Sequence, residues 1–298
     1  MKNKKHNKVS PSSFLVLKVY LKKSTDKLFS DLFDKSLHAV TEQCYQKVKK
    51  HFPLSIYKIL PVSILSRLLD FFALEGLSDH YVLRKNFIHE VSSNAVKEGF
   101  EQVVNLAAGY DCLCLKIAKE NNAVNCFELD RSFSVDLKSE LADELAIKNF
   151  FNTRFDFNID SIAELENKMT SFDYTKKTIF IFEGIFVYLE EAVIRKIFKE
   201  LKLIAEPGSL VVFTNVEPYI ADKKEKVFGI KNMMKGMSEE MNFVSSEKEL
   251  ENLLLEYGFK IKENRKYLNL QDEFVTGSFS SKYRSNYVEN IYLAELSA

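Results

Sequence analysis

The stretch Gln102-Val-Val-Asn-Leu-Ala-Ala-Gly-Tyr-Asp111 decides the fold class of this 298-residue chain. It begins as a short apolar run, which predicts a buried strand, and its small residues around Gly109 predict a tight turn. The residues from 111 to 120 then have the pattern of a helix. A strand that passes through a small-residue turn into a helix N-terminus is typical of parallel sheets, which bind ligands at the carboxyl ends of their strands.

The same alternation continues towards the C-terminus, which predicts a doubly wound α/β sheet. Further strands are predicted at 123–130, 150–155, 177–183 and 209–214, and a closing antiparallel pair at 259–268 and 286–296. Helices are predicted between them at 132–145, 190–203 and 246–257. The seven strands make up a Rossmann-like domain over residues 99–298, with a lid insertion near 215–245.

The first hundred residues have helical periodicity and no strand alternation. Helices are predicted at 10–23, 36–51, 61–74 and 79–99. We expect residues 1–98 to form a helical cap that covers the carboxyl ends of the strands.

Composition excludes several classes of partner. The 42 basic and 42 acidic residues give a net charge of zero, which gives no electrostatic reason to expect nucleic acid. No apolar run approaches the roughly 20 residues that span a bilayer, and no secretory signal follows the basic N-terminus, so we expect a cytoplasmic protein without a membrane partner. The four cysteines have no zinc-ligand spacing, which predicts buried free thiols and no metal. Oligomeric state has no sequence signal here.

Acidic residues lie where two of these predicted strands end. Glu128 and Asp130 end the second strand, where a carboxylate can accept hydrogen bonds from the two hydroxyls of a ribose. The alternative is a helix-capping carboxylate, and this suits Asp130 better than Glu128. Glu183 ends a buried strand and is costly there unless it meets a ligand or a cation. Its alternative is an ion pair with a nearby lysine or arginine.

Four segments, in this order and spacing, resemble the leucine carboxyl methyltransferase family. They are Arg84-Lys-Asn-Phe-Ile88, the stretch 102–111, Phe127-Glu-Leu-Asp130 and Glu183-Gly-Ile-Phe-Val-Tyr-Leu189. The resemblance extends over most of the chain. It implies a class I methyltransferase fold, S-adenosylmethionine as methyl donor, and transfer to a carboxylate or hydroxyl oxygen of a small molecule or a protein C-terminus.

The resemblance also implies roles for individual residues. Arg84 would hold the methionine carboxylate of the donor, and Ala107 and Gly109 would line the backbone loop that receives it. Glu128 would hold the ribose, and Asp156 would lie near the adenine amino group. Glu183 would face the amino-acid end of the donor. Tyr188 would lie near the methyl-transfer pocket, as the catalytic candidate.

Some residues depart from the family pattern and leave other functions open. Ala107 stands where the family usually has glycine, and its methyl group could crowd the donor. Tyr20 stands where the N-terminal helix commonly carries an arginine. These departures suggest the alternative of a non-catalytic protein that binds S-adenosylmethionine, or a partner, on the same fold. A nicotinamide enzyme is disfavoured because Gly109 is the one glycine where a dinucleotide fold uses three.

Overall fold

The computed structural model describes residues 11–24, 29, 32–51, 77–169, 171–218, 241–266 and 289–297. The described strands are β1 (Gln102–Leu106), β2 (Asn125–Asp130), β3 (Phe150–Arg154), β4 (Thr178–Phe182), β5 (Leu210–Val216), β6 (Phe259–Arg265) and β7 (Glu289–Leu296). They form one sheet in the order β3-β2-β1-β4-β5-β7-β6. The predicted doubly wound α/β fold with seven strands is therefore confirmed.

Strands β1 and β4 are central and buried along their whole length, and most of their residues are apolar. They pair in parallel with each other, and β2, β3 and β5 continue the parallel part. The last strand, β7, inserts between β5 and β6 and is antiparallel to both. The predicted antiparallel pair is thus correct, and the carboxyl ends of β1 to β5 share one edge of the sheet.

The described helices are α1 (Pro11–Lys23), α2 (Lys35–His51), α3 (Leu77–Lys97), α4 (Leu113–Glu120), α5 (Ser132–Glu144), α6 (Leu165–Lys168), α7 (Glu191–Ile204) and α8 (Glu247–Glu256). Helix α7 buries Ile194, Ile197 and Leu201, which recur at helical spacing. Helix α8 begins at a capping box formed by Ser246 and Glu249. Two 3₁₀ turns, Ile162–Glu164 and Phe186–Tyr188, were not predicted. The predicted helix at 61–74 lies outside the described residues.

Two apolar cores cover the two faces of the sheet. One contains residues of α1 to α5, and the other contains residues of α7 and α8. The N-terminal helices therefore share a core with α4 and α5. The division at residue 98 stays a prediction, and residues 219–240 of the predicted lid lie outside the described part.

All four cysteines are buried and free, as predicted: Cys44, Cys112, Cys114 and Cys126. In the described ranges, we find no helix with the length and apolar character that a membrane span requires.

Candidate active site

The loop after β1 has an unusual backbone. Ala107 and Gly109 both have left-handed conformations, with φ of 58° and 52°. Glycine accepts this conformation without strain, whereas alanine does not. A Cβ at position 109 would also lie 2.9 Å from Oγ of Ser13 in α1, so a side chain here would displace Ser13. The loop thus lies at the carboxyl end of β1 and packs against Ser13 of α1.

The carboxyl end of β2 is tied to this loop. The backbone N–H of Gly109 donates a hydrogen bond to the Asp130 carboxylate. The N–H of Ala107 donates to the carbonyl oxygen of Leu129 at 2.7 Å. Asp130 therefore holds the loop against the tip of β2, and its side chain is only partly buried.

Glu128 lies two residues deeper in the same strand. It is 2 % exposed, and its Oε2 accepts a hydrogen bond from Nζ of Lys138 in α5 at 2.6 Å. Its other oxygen, Oε1, is buried and has no hydrogen-bond partner within the described part of the chain. Burial raises the pKa of Glu128 to about 7, and Lys138 offsets only part of this shift. We name Ala107, Gly109, Glu128 and Asp130 the loop cradle.

A second cluster lies across β1 from the loop cradle. Arg84 projects from α3, and its Nε donates to Oε1 of Glu183 at 3.1 Å. Its Nη1 donates to Oε2 of Glu289 at 2.9 Å, and His80 shares that carboxylate. Burial alone would raise the pKa of Glu289, but the charge of Arg84 and the bond from His80 lower it to about 2.

Lys85 extends this cluster towards β1. Its Nζ lies 3.0 Å from Oε2 of Glu183 and 3.1 Å from Oδ1 of Asp111. Asp111 also accepts hydrogen bonds from the Asn105 side chain and from the N–H of Leu113. Burial opposes the charge on Lys85, but the two carboxylates outweigh it and raise the lysine pKa. We name His80, Arg84, Lys85, Asp111, Glu183 and Glu289 the arginine network.

The structure brings most of the predicted residues to one edge of the sheet. Arg84 contacts Glu183 directly, and Glu183 thereby meets the ion pairs that were its alternative role. Gly184 follows Glu183 with φ of 66°, and a Cβ there would lie 3.4 Å from the Arg84 guanidinium. Asp111 belongs to the arginine network through Lys85, and its charge also raises the pKa of Glu128.

Asp156 and Tyr188 lie at the rims of this edge. Asp156 follows β3, where the N–H of Phe155 donates to the Asp130 carbonyl at 2.8 Å. The Asp156 carboxylate accepts two hydrogen bonds from Asn158, so the loop partly satisfies it. Tyr188 ends the 3₁₀ turn after β4, and its carbonyl accepts a hydrogen bond from Asn242 at 2.9 Å. The roles predicted for these residues stay predictions.

Sequence reasoning missed four residues of this edge: Lys85, Asp111, Lys138 and Glu289. Lys85 and Asp111 stood inside quoted motifs, next to Arg84 and at the end of the loop stretch. Lys138 lies in the helix predicted at 132–145, but its hydrogen bond to Glu128, ten residues earlier, was not predicted. Glu289 had no signal, because it is separated from Arg84 by 205 positions and approaches it only through the placement of β7.

A seven-stranded sheet with this strand order, with acidic and basic side chains at the carboxyl ends, is the fold of class I methyltransferases. The sequence model of the leucine carboxyl methyltransferase family matches residues 19–202. This chain therefore belongs to the leucine carboxyl methyltransferase family, as the sequence motifs indicated.

Curated relatives carry related names. A protein of Mycobacteroides abscessus is 28 % identical over 138 residues, which cover 45 % of each chain. A protein of Mycobacterium avium is 26 % identical over 170 residues, which cover 56 % of this chain and 52 % of the relative. Both are provisionally named S-adenosyl-L-methionine-dependent methyltransferases. The chain thus spans about half the length of the curated relatives that it matches.

Solved structures share the fold at low identity. A provisionally named methyltransferase from Thermobifida fusca has a TM-score of 0.59 at 11 % identity, over 86 % of this chain and 94 % of that chain. A DUF574 family protein from Streptomyces avermitilis has a TM-score of 0.57 at 10 % identity, over 90 % and 99 % of the two chains. At this identity the likeness concerns the fold alone.

Proposed function

We propose that this protein transfers the methyl group of S-adenosylmethionine to an oxygen atom. The acceptor is a carboxylate or hydroxyl of a small molecule or of a protein C-terminus. One observation supports this most: the loop cradle and the arginine network lie side by side at the carboxyl edge of a sheet with the class I methyltransferase order. Neither the loop cradle nor the arginine network alone would favour an adenosyl ligand over a structural role.

The loop cradle has the chemistry to hold the nucleoside. Oε1 of Glu128 is a buried acceptor without a partner among described residues, and a ribose hydroxyl would satisfy it. Asp130 lies nearer the tip of β2, and we propose that it shares the ribose with Glu128. Ala107 and Gly109 offer a backbone that a ligand approaches closely. Asp156 would bind the adenine amino group.

The arginine network has the chemistry to hold the amino-acid end of the donor. Glu183 would face the ammonium group, and Arg84 would stand opposite the carboxylate. Because Glu183 and Glu289 already engage the guanidinium, donor binding must share or replace one of these bonds. Tyr188 would lie near the transferred methyl group and is the residue we propose for acceptor alignment.

The donor supplies a methyl group on a positively charged sulfur, and transfer is an in-line displacement by the acceptor oxygen. The protein aligns the reacting atoms and excludes water. As the O–CH₃ bond forms, the S–CH₃ bond breaks and S-adenosylhomocysteine leaves. A carboxylate acceptor is ionised at pH 7 and needs no base, whereas a hydroxyl acceptor would release its proton to water. His80 is buried against Glu289, so we assign it no role as a base.

Isothermal titration of the full chain with S-adenosylhomocysteine tests the proposal. We expect binding with a dissociation constant in the micromolar range. Binding should be at least about tenfold weaker for Arg84→Ala, which removes a charged contact, and for Glu128→Ala, which removes a buried hydrogen-bond acceptor. The matched control is Arg195→Ala, whose guanidinium pairs with Glu191 and Glu256 on the surface of α7 and α8. Absence of binding at high micromolar ligand would exclude a methyl donor at this edge.

A non-catalytic protein on the same fold is the second candidate function. The occupied guanidinium of Arg84 and the strained backbone of Ala107 favour it. Incubation with a methyl-labelled donor and cell extract separates the two functions. Label in a protein or small molecule supports methyl transfer, whereas donor binding without any transfer of label supports the second candidate.

A further inference from the structure

The hydroxyl of Tyr20 is a buried polar group without a hydrogen-bond partner in the described ranges. The Tyr20 residue is 2 % exposed, and its ring packs against Phe33 with centroids 4.8 Å apart. A buried hydroxyl that forms no hydrogen bond costs about 1–3 kcal/mol. Natural proteins rarely keep such a group without a reason, and a ligand that binds the hydroxyl is one such reason.

The position of Tyr20 in α1 directs it to the carboxyl edge of the sheet. Ser13 and Tyr20 are seven residues apart, which is two helical turns, so they share one face of α1. Ser13 on this face lies against Gly109 of the loop cradle. Lys23, one turn beyond Tyr20, pairs with Asp79 of α3, so the C-terminal half of α1 lies against the helix that carries Arg84.

The charges around Tyr20 agree with this placement. Burial raises the pKa of the Tyr20 hydroxyl, and the carboxylates of Asp111, Asp34 and Glu183 raise it further. The hydroxyl therefore keeps its proton at neutral pH. It forms no hydrogen bond to Asp111 or Glu183, whose side-chain oxygens are taken by Lys85, Arg84 and neighbouring groups.

A donor molecule that enters this edge brings a carboxylate of its own. The guanidinium expected to receive it, Arg84, already bonds Glu183 through Nε and Glu289 through Nη1. Lys85 is likewise shared between two carboxylates. The Tyr20 hydroxyl, by contrast, can donate a hydrogen bond to that carboxylate without breaking one to any other described residue.

We infer that Tyr20 binds the methyl donor, and that its hydroxyl donates a hydrogen bond to the carboxylate of the donor's amino-acid end. This inference rests on the proposed function and assigns one more residue to that site. It makes α1 part of the donor site, through Ser13 at the loop and Tyr20 two turns later. The unpaired hydroxyl is then a cost in the free protein that ligand binding removes.

The test compares Tyr20→Phe with the wild type against two ligands. S-adenosylhomocysteine carries the carboxylate, and its decarboxylated analogue lacks only that group. We expect Tyr20→Phe to weaken binding of S-adenosylhomocysteine about tenfold or more, since the lost bond is to a charged group, and to leave binding of the analogue unchanged. Both are measured by isothermal titration.

Thermal unfolding without ligand checks for a purely structural effect. Because the hydroxyl forms no bond in the free protein, we expect the melting temperature of Tyr20→Phe to equal or exceed that of the wild type. The control Tyr45→Phe makes the same chemical change in α2, where the ring stacks on Phe14, and should alter neither affinity.

Three results would overturn the inference. Equal weakening for both ligands would mean that Tyr20 only shapes the pocket. Unchanged affinity for both would mean that the hydroxyl does not meet the carboxylate. A wild type that binds neither ligand would instead remove the proposed function itself, and this outcome is distinct from the other two.

Discussion

The two halves of the candidate active site differ in how far their polar groups are satisfied. In the arginine network, both carboxylate oxygens of Glu183, Glu289 and Asp111 have hydrogen-bond or ion-pair partners. In the loop cradle, Glu128 keeps a buried oxygen without a described partner, and Ala107 holds a strained backbone. A satisfied cluster stabilises the fold, whereas an unsatisfied one is kept for a ligand. Mutations in the first half should therefore reduce both stability and donor binding, and those in the second mainly donor binding.

The largest expected effect is on the arginine network. Glu289→Gln removes a buried charge that pairs with Arg84 and is hydrogen-bonded to His80. Because Arg84 would keep a buried charge with one carboxylate fewer, we expect a loss of about 3–5 kcal/mol in the free energy of unfolding. Urea unfolding at pH 7 measures it. The control is Glu295→Gln, which lies on the same strand and pairs with Lys262 near the surface.

The same variant has a definite pH dependence. Glu289 has a pKa of about 2 in the folded protein, and a glutamate in an unfolded chain has a pKa of about 4.3. Its stabilisation is therefore complete above about pH 4.3 and is lost as the pH falls through about 2. The gap in stability between wild type and Glu289→Gln should narrow over this window. A gap that stays constant down to pH 2 would contradict the ionised pair.

The sequence predicted the fold and several residues of the site, but not the full arginine network. Apolar runs located the buried strands, and the small residues at 107–109 located the loop, because both are local patterns. Arg84 and Glu183 are in contact, and their roles in donor binding stay predictions. The partnership with Glu289 could not be predicted, since it depends on the insertion of β7 between β5 and β6. Glu128 and Asp130 are two residues apart and therefore share one face of β2. Their different depths in the sheet depend on the exact residue at which the strand ends, which a sequence pattern does not determine.

An intermediate effect is expected at the loop cradle. Asp130→Ala removes the acceptor of the Gly109 N–H and one proposed ribose contact. We expect about tenfold weaker binding of S-adenosylhomocysteine, with a loss in the free energy of unfolding of only about 1 kcal/mol. Isothermal titration and urea unfolding give the two values. Asp136→Ala is the control, because this aspartate forms an exposed pair with Arg154. A loss of stability without any change in affinity would make Asp130 a structural residue.

The smallest effect separates backbone strain from ligand contact. Ala107 and Ala146 are the two described non-glycine residues with positive φ, at 58° and 54°. Glycine at either position should relieve left-handed strain and raise the free energy of unfolding by up to about 1 kcal/mol. Ala146 follows α5, away from the loop, so Ala146→Gly should leave the affinity for S-adenosylhomocysteine unchanged. Ala107→Gly also removes a methyl group from the loop cradle, and we expect it to tighten that binding. If the two variants gain equal stability and Ala107→Gly binds no more tightly, the alanine side chain does not contact the donor, and only the backbone of the loop does.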